Sequence, residues 1–505
     1  MKKAIKIILT IFLVITLLVV GIVLFLFQML KSELGDHWKD YAKVFAMQSE
    51  VSKDLPPLEN IEQRRIDVKY IRNDGTVESR PVRLYIPGDA QQPMPLIYVP
   101  HYEMAENAAE LRRYLEQGWA VASPTDVLPS HNGLLTDDDL VFNNAALYTL
   151  RHMDEFDTQR IAVVGGSAGG YTAMMLSALQ MGNCTTIANA PIANVYFNFY
   201  QYFQMAKRND APFFLKLVRD SFAPILKNFP DTSDTERWEA FSAVGLANCY
   251  SSSFAITHVT SDVLVPIDQI TREFTYDQEG DSMPDGFSTR LPEDNPGVLG
   301  RSLAEELPAE LTNVEHIIID DPNENSSMPY DADKLFNILI YDDGPTQSYG
   351  SHRATSGTGI IDDVPYLKAM FERGLAQNEI LTNSKLILLL ERYMGESVQL
   401  PAHEDVDDSV YGSLVVYRQE IVEELTCWSK NHSAEELDAA MNNAIAERSD
   451  SKNAAKYQAT WQEIYAEIVS ALVSRSPFSW LLCLFTVLTH HCGFFRFVSE
   501  LFFTF

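Results

Sequence analysis

Between Arg160 and Gly182 the chain reads RIAVVGGSAGGYTAMMLSALQMG, a β-branched strand pattern that runs straight into a small-residue helix. The junction, Gly165-Gly166-Ser167-Ala168-Gly169-Gly170, has the form G-x-S-x-G. A serine held exposed on a sharp strand-to-helix turn brings the residues two before and two after it so close that side chains would collide. Glycine at 165 and 169 answers that demand. The flanking strand and helix supply the context that a nucleophilic serine needs, so Ser167 is the candidate nucleophile, with a plain structural turn as the bland alternative. A phosphate-binding loop is the rival, but the segment has no G-K-[ST] and no G-x-G-x-x-G.

The surrounding pattern predicts the layers. A hairpin (RRIDVKYI and RPVRLYI, joined through Asn73-Asp74-Gly75) is followed by short apolar runs at 95–100, 118–124, 185–191, 253–262 and 336–344. Helical patterns lie between them at ENAAELRRYLEQG and at 137–156. Strands alternating with helices point to an α/β fold, a mostly parallel sheet with helices on both faces. Two insertions break the rhythm: an aromatic, helical cap over 193–249 and an acidic, Pro/Gly-rich segment over 275–313. The expected organisation is therefore a catalytic domain over 61–375, a helical C-terminal region over 376–476, and an apolar tail over 477–505. That tail reads equally as an interfacial helix, a packed terminal element or a sequence artefact.

Ahead of the domain, Lys2, Lys3 and Lys6 precede an apolar run from Ile7 to Phe27. As a helix it spans about 31 Å, the thickness of a bilayer core. Neither an A-x-A cleavage pattern nor a lipobox cysteine follows, which favours an uncleaved transmembrane anchor over residues 1–30, with 31–60 as a polar stalk. Lysines before the span stay cytoplasmic, so the expectation is a single-pass membrane protein whose catalytic domain is extracytoplasmic.

Charge and cysteine content exclude other classes. The 505 residues carry 39 Lys and Arg against 69 Asp and Glu, a formal charge of −30. A surface that acidic repels phosphate backbones, so no nucleic-acid partner is expected. Five scattered cysteines form no C-x-x-C pair, and His490, His491 and Cys492 lack a fourth ligand; no metal and no cofactor is expected. Acidic runs such as Asp137-Asp138-Asp139 read most simply as solvated residues at a helix start.

On the elbow and its flanks the chain resembles the serine α/β-hydrolase superfamily, and most closely the catalytic domains of prolyl oligopeptidase-type peptidases and related carboxylesterases. The resemblance runs over 64–192 and 250–370. It implies a triad in the order Ser, Asp/Glu, His. ITHVTSDVLVPIDQ resembles the family's strand, acid and V-P step, which makes Asp262 the acid and Asp268 the weaker choice. His352, in a Gly/Ser loop after a strand, is the expected general base; His316, His403 and His432 sit in a strand, an acidic break and a helical region. The oxyanion donors implied are the Ala168 N–H and, from the loop after PLIYVP, the Tyr102 hydroxyl. Many relatives carry His-Gly-Gly in that loop, whereas this chain has His101-Tyr102-Glu103, with His101 read as structural.

The aromatic stripe Tyr196, Phe197, Phe199, Tyr200, Tyr202 and Phe203 is either a pocket lining or cap core. The expected activity is cleavage of small-molecule ester or peptide substrates by a membrane-anchored serine hydrolase. An esterase is preferred, because the stretch between the anchor (1–30) and the domain (61–375) leaves no room for a β-propeller. The alternatives are a prolyl oligopeptidase-like peptidase and a non-catalytic binding or scaffold protein on the same fold.

Overall fold

The structure is a computed structural model. It describes residues 2–34, 57–72, 75–125, 137–198, 235–260, 262, 265–271, 301–307, 312–318, 330–342, 362–395, 416–448 and 453–474. The chain divides into two compact units, residues 1–382 with 398–414, and residues 383–397 with 415–505.

The first unit is built on nine strands: β1 (Ile61–Ile71), β2 (Val77–Pro87), β3 (Met94–Tyr98), β4 (Ala120–Pro124), β5 (Phe156–Gly166), β6 (Thr185–Asn189), β7 (Ser253–Val259), β8 (Thr312–Ile318) and β9 (Phe336–Asp342). They form one sheet in the order β1-β2-β4-β3-β5-β6-β7-β9-β8. β1 and β2 are the antiparallel hairpin that the sequence predicts, with Gly75 at φ +82° in its turn. From β4 onward every pairing is parallel. The chain moves from β3 outward to β4, then returns to place β5 on the other side of β3. That reversal is a topological switch point, the place where open α/β sheets generally bind ligands, outside the strand C-termini.

Four helices cover the sheet: α2 (Ala109–Glu116), α3 (Asp137–Arg151), α4 (Ala168–Leu179) and α7 (Val364–Arg373). The strand period of two sends alternate residues to opposite faces. Ala162 and Val164 of β5 join Ile97, Val121, Ile187 and Leu339 against Leu111 and Tyr114 of α2 and Leu367 and Met370 of α7. Ile161 and Val163 join Leu84, Leu96 and Ala122 on the other side, against Phe142 and Leu147 of α3 and Ala173 and Leu176 of α4. Both faces being buried explains why the central strands read as unbroken apolar runs.

The short helix α5 (Thr235–Ala240) lies between β6 and β7 and α6 (Leu303–Glu306) between β7 and β8, with α8 (Leu375–Asn378) after α7. Within the expected cap, Tyr196 packs edge-on to Trp238 at 5.2 Å and Phe197 is buried. Phe199, Tyr200, Tyr202 and Phe203 lie outside the described residues.

Among its described residues the second unit holds four mutually packed helices: α9 (Asn383–Gly395), α10 (Val416–Asn431), α11 (Ala434–Glu447) and α12 (Ala454–Ser474). Leu437, Met441 and Ile445 of α11 and Tyr457, Trp461, Ile464 and Ile468 of α12 are buried at spacings of three and four, one apolar stripe per helix. Ser433 caps α11 through the Glu436 N–H at 3.0 Å. The first helix, α1 (Lys2–Leu34), carries a segment, Thr10–Met29, long and apolar enough to cross a membrane, and none of it is buried.

One buried contact ties α2 to the start of α7. Tyr114 donates its hydroxyl to Asp363 Oδ2 at 2.5 Å, with both side chains inside the protein. Burial pushes the Asp363 carboxyl up to about 6, against the opposing pull of the Tyr114 hydrogen bond and of Arg113. In the unfolded chain an aspartate titrates near 4. Between about pH 4 and pH 6 the folded protein therefore keeps a proton that the unfolded chain has lost, and stability falls as pH rises through that window. The loss is about 2–3 kcal/mol. Asp363→Asn removes this dependence: the stability of the wild type minus that of the variant should fall by that amount between pH 4 and 7. A flat difference in chemical denaturation of the full chain would refute the assignment.

Candidate active site

β5 ends at Gly166 and α4 begins at Ala168, so a single residue, Ser167, makes the whole turn. Its backbone sits at φ +56°, ψ −122°, a region that L-residues rarely enter. Strain of this kind costs about 1–3 kcal/mol and persists only where the surroundings enforce it. Here they do. The Ser167 N–H donates to the Asn189 carbonyl at 2.8 Å, and the Tyr171 N–H donates to the Ser167 carbonyl at 3.0 Å. A Cβ at Gly165 would stand 2.3 Å from the Gly169 carbonyl oxygen, and one at Gly170 would stand 3.0 Å from Pro191 Cβ. The glycine demand read from the sequence is thus met at 165. Ala168, the first helical residue, has an N–H without an intrahelical acceptor, beside the serine and at the positive end of the helix.

The second predicted donor, Tyr102, lies in the loop after β3, the strand paired with β5. The Tyr102 N–H donates to the Pro100 carbonyl at 2.8 Å, which closes a three-residue turn around His101 at φ +71°. This is the rarer, more strained form of γ-turn. It lays the Tyr102 ring against the elbow: a Cβ at Gly169 would meet Tyr102 Cδ2 at 3.2 Å and the Pro100 carbonyl oxygen at 3.0 Å. Tyr102 itself is exposed.

Beneath it lies a buried polar network that the sequence did not reveal. His101 Nδ1 is 3.1 Å from Asp139 Oδ2, and Arg80 Nη1 donates to Asp139 Oδ1 at 3.2 Å. The Arg80 guanidinium rests 3.9 Å over the Phe142 ring. Asn143 Oδ1 accepts from the Tyr98 hydroxyl at 2.7 Å and from the His101 N–H at 3.4 Å, while Asn143 Nδ2 donates to the Asp139 carbonyl at 2.7 Å. Asp139 is 4% exposed, which corrects its reading as a solvated helix-start residue. A buried carboxylate is tolerated because Arg80 and His101 both face it. One signal was available: Arg80 shares the inward parity of Val82, Leu84 and Ile86, and a charge in that register requires a buried partner.

Asp262 lies three residues past the end of β7, two strands from β5. It is buried and its Oδ1 accepts from the Val265 N–H at 2.9 Å, which fixes the carboxylate in the turn after the strand. Asp268 is also buried, in a 3₁₀ turn (Ile267–Gln269). His352 lies outside the described residues, in the chain between β9 and α7. Ser167, Ala168 and Tyr102 therefore meet at the switch point between β3 and β5, and Asp262 stands on the same C-terminal edge of the sheet. A cleft of about 900 Å³, lined by Trp119, Arg112, Asp157 and Arg160 among others, opens at the opposite edge. The seven residues from Arg160 to Ser167 put it roughly 20 Å down β5 from the serine.

No family model and no curated protein matches this chain. Among solved structures it is similar to a puromycin hydrolase at 12% identity and TM-score 0.36, over 63% of this chain and 39% of that one. It is similar to an acetyl xylan esterase from Paenibacillus sp. R4 at 18% identity and TM-score 0.31, over 45% of this chain and 81% of that one. It is also similar to the Pyrococcus horikoshii acylaminoacyl peptidase at 14% identity and TM-score 0.37, over 65% of this chain and 43% of that one. The chain thus spans about two fifths of the puromycin hydrolase and of the acylaminoacyl peptidase. By its own strand order, switch point and elbow, the first unit has the α/β-hydrolase fold.

The two elbow glycines differ in how much space they have, which sets an order of tolerance. Gly165→Ala meets rigid backbone at 2.3 Å and should cost at least about 3 kcal/mol. Gly169→Ala meets a ring edge and a carbonyl at 3.0 Å or more and should cost less, about 1 kcal/mol. Equal midpoints in chemical denaturation would show that the elbow is looser than its geometry.

Proposed function

We propose that the protein is a membrane-anchored serine hydrolase with a Ser167–His352–Asp262 triad. The observation that carries this reading is the Ser167 backbone, held at φ +56° between two glycines at the C-terminal edge of a parallel sheet. A turn that costs stability and presents a hydroxyl at the switch point serves chemistry better than it serves folding. In this reading His352 takes the Ser167 proton as Oγ adds to the substrate carbonyl carbon. Asp262 orients the imidazole and stabilises the imidazolium. The oxyanion receives hydrogen bonds from the Ala168 N–H and the Tyr102 hydroxyl. His352 then protonates the leaving group, and water repeats the sequence to release the acid. Two strand spacings, about 10 Å, separate the β5 and β7 edges.

The substrates proposed are small esters, with short peptides second. Support for the esters comes from the 30-residue stalk (31–60), too short for a propeller that would filter peptides by size. The α1 helix is the proposed anchor, with Lys2, Lys3 and Lys6 on the cytoplasmic side and the catalytic unit opposite.

Fluorophosphonate labelling of the full chain in detergent tests the nucleophile. Label should appear on the wild type and vanish in Ser167→Ala. Asp262→Asn should slow labelling and ester hydrolysis by about 10³-fold or more, whereas Asp268→Asn should leave them within a few-fold. A folded wild type that takes no label would replace this reading with that of a binding protein on the same fold.

A further inference from the structure

We propose that His101 is a positioning residue, which acts on the reaction through Tyr102; this rests on the serine hydrolase reading above. Three observations carry it. His101 occupies a strained backbone conformation, φ +71°, that glycine would adopt freely, yet the chain places an imidazole there. The ring is 3% exposed and held from one side by Asp139, itself held by Arg80, and its Nε2 has no hydrogen-bond partner among the described residues. Backbone strain of this kind costs stability, so stability does not explain it. The ring also stands edge-on to Tyr102, centroids 4.5 Å apart and planes at 81°.

Together these contacts form a rigid bracket. Asn143 holds the His101 N–H, Asp139 holds the ring, and the γ-turn hydrogen bond holds the Tyr102 N–H. The imidazole stands edge-on to the Tyr102 ring, and Gly169 lies against its edge. In enzymes that use glycines in this loop, backbone freedom aims an N–H; here a fixed ring aims a hydroxyl. The bracket takes the place of the missing glycines.

If His101 works only through Tyr102, its loss should matter only while the Tyr102 hydroxyl is present. The test is a double-mutant cycle on p-nitrophenyl acetate hydrolysis by the full chain in detergent, with thermal unfolding followed in parallel. Tyr102→Phe should lower kcat about 10²-fold, as expected for loss of one oxyanion donor. His101→Gly, which retains the left-handed backbone, should lower kcat about tenfold with KM within about twofold. The double variant should lie within about twofold of Tyr102→Phe alone. Asp139→Asn, which loosens the same bracket from its far side, should repeat the pattern and serves if His101→Gly does not fold. Multiplicative losses in the double variants, or an effect of His101→Gly on KM alone, would overturn the proposal and leave the triad intact. A folded wild type without fluorophosphonate labelling would remove both readings at once.

Discussion

Everything at the candidate site depends on one close approach, that of Gly165 to the Gly169 carbonyl. Without side chains at these two positions β5 and α4 meet end to end, and the intervening residue is forced across to positive φ. The surrounding sheet resists relaxation: the Ser167 N–H is bonded to Asn189 on the neighbouring strand, and the Ala190 N–H to Thr257 on the strand beyond. The strain is therefore distributed over β5, β6 and β7 and not stored in one residue. Relaxing the elbow would mean breaking pairings in the middle of a sheet buried on both faces.

A second strained turn, at His101, sits beside the first. Two left-handed non-glycine residues on adjacent strand ends, both at the switch point, are an uncommon concentration of backbone cost. The charge network beneath them shows how such a turn is kept. Arg80 from β2, Asp139 from the first turn of α3 and His101 from the loop after β3 converge in the interior. Removing any one of them would cost the others a buried hydrogen bond or ion pair, a penalty on the scale of the turn itself. The hairpin edge of the sheet, far from the elbow in sequence, thereby sets the shape of the loop after β3.

Where secondary structure depends on short-range pattern, it was legible. The hairpin, the helix over 137–151, the strands at 253–259 and 336–342 and the strand-turn-helix at 160–179 all follow from periodicity, β-branching and turn chemistry. Asp139 was misread because three consecutive acids at a helix start are ordinary on a solvated face, and nothing local marks one of them as buried. The contacts of His101 have no local signature either: its partners Asp139 and Asn143 lie about forty residues after it. The Tyr114–Asp363 contact, across 249 residues, has no local signature at all.

By itself the sequence determined what a chain decides within a few residues: where strands end, where a helix starts, and where only glycine leaves room for the backbone. It therefore pointed to Ser167 as the exposed residue of the elbow before any fold was known. The tertiary structure decided which charges are buried and which loops face the serine. Strand order alone places β3 beside β5 and so brings Tyr102 over Gly169. The physical reason is that burial and electrostatics depend on neighbours in space. Steric exclusion along the backbone depends on neighbours in sequence.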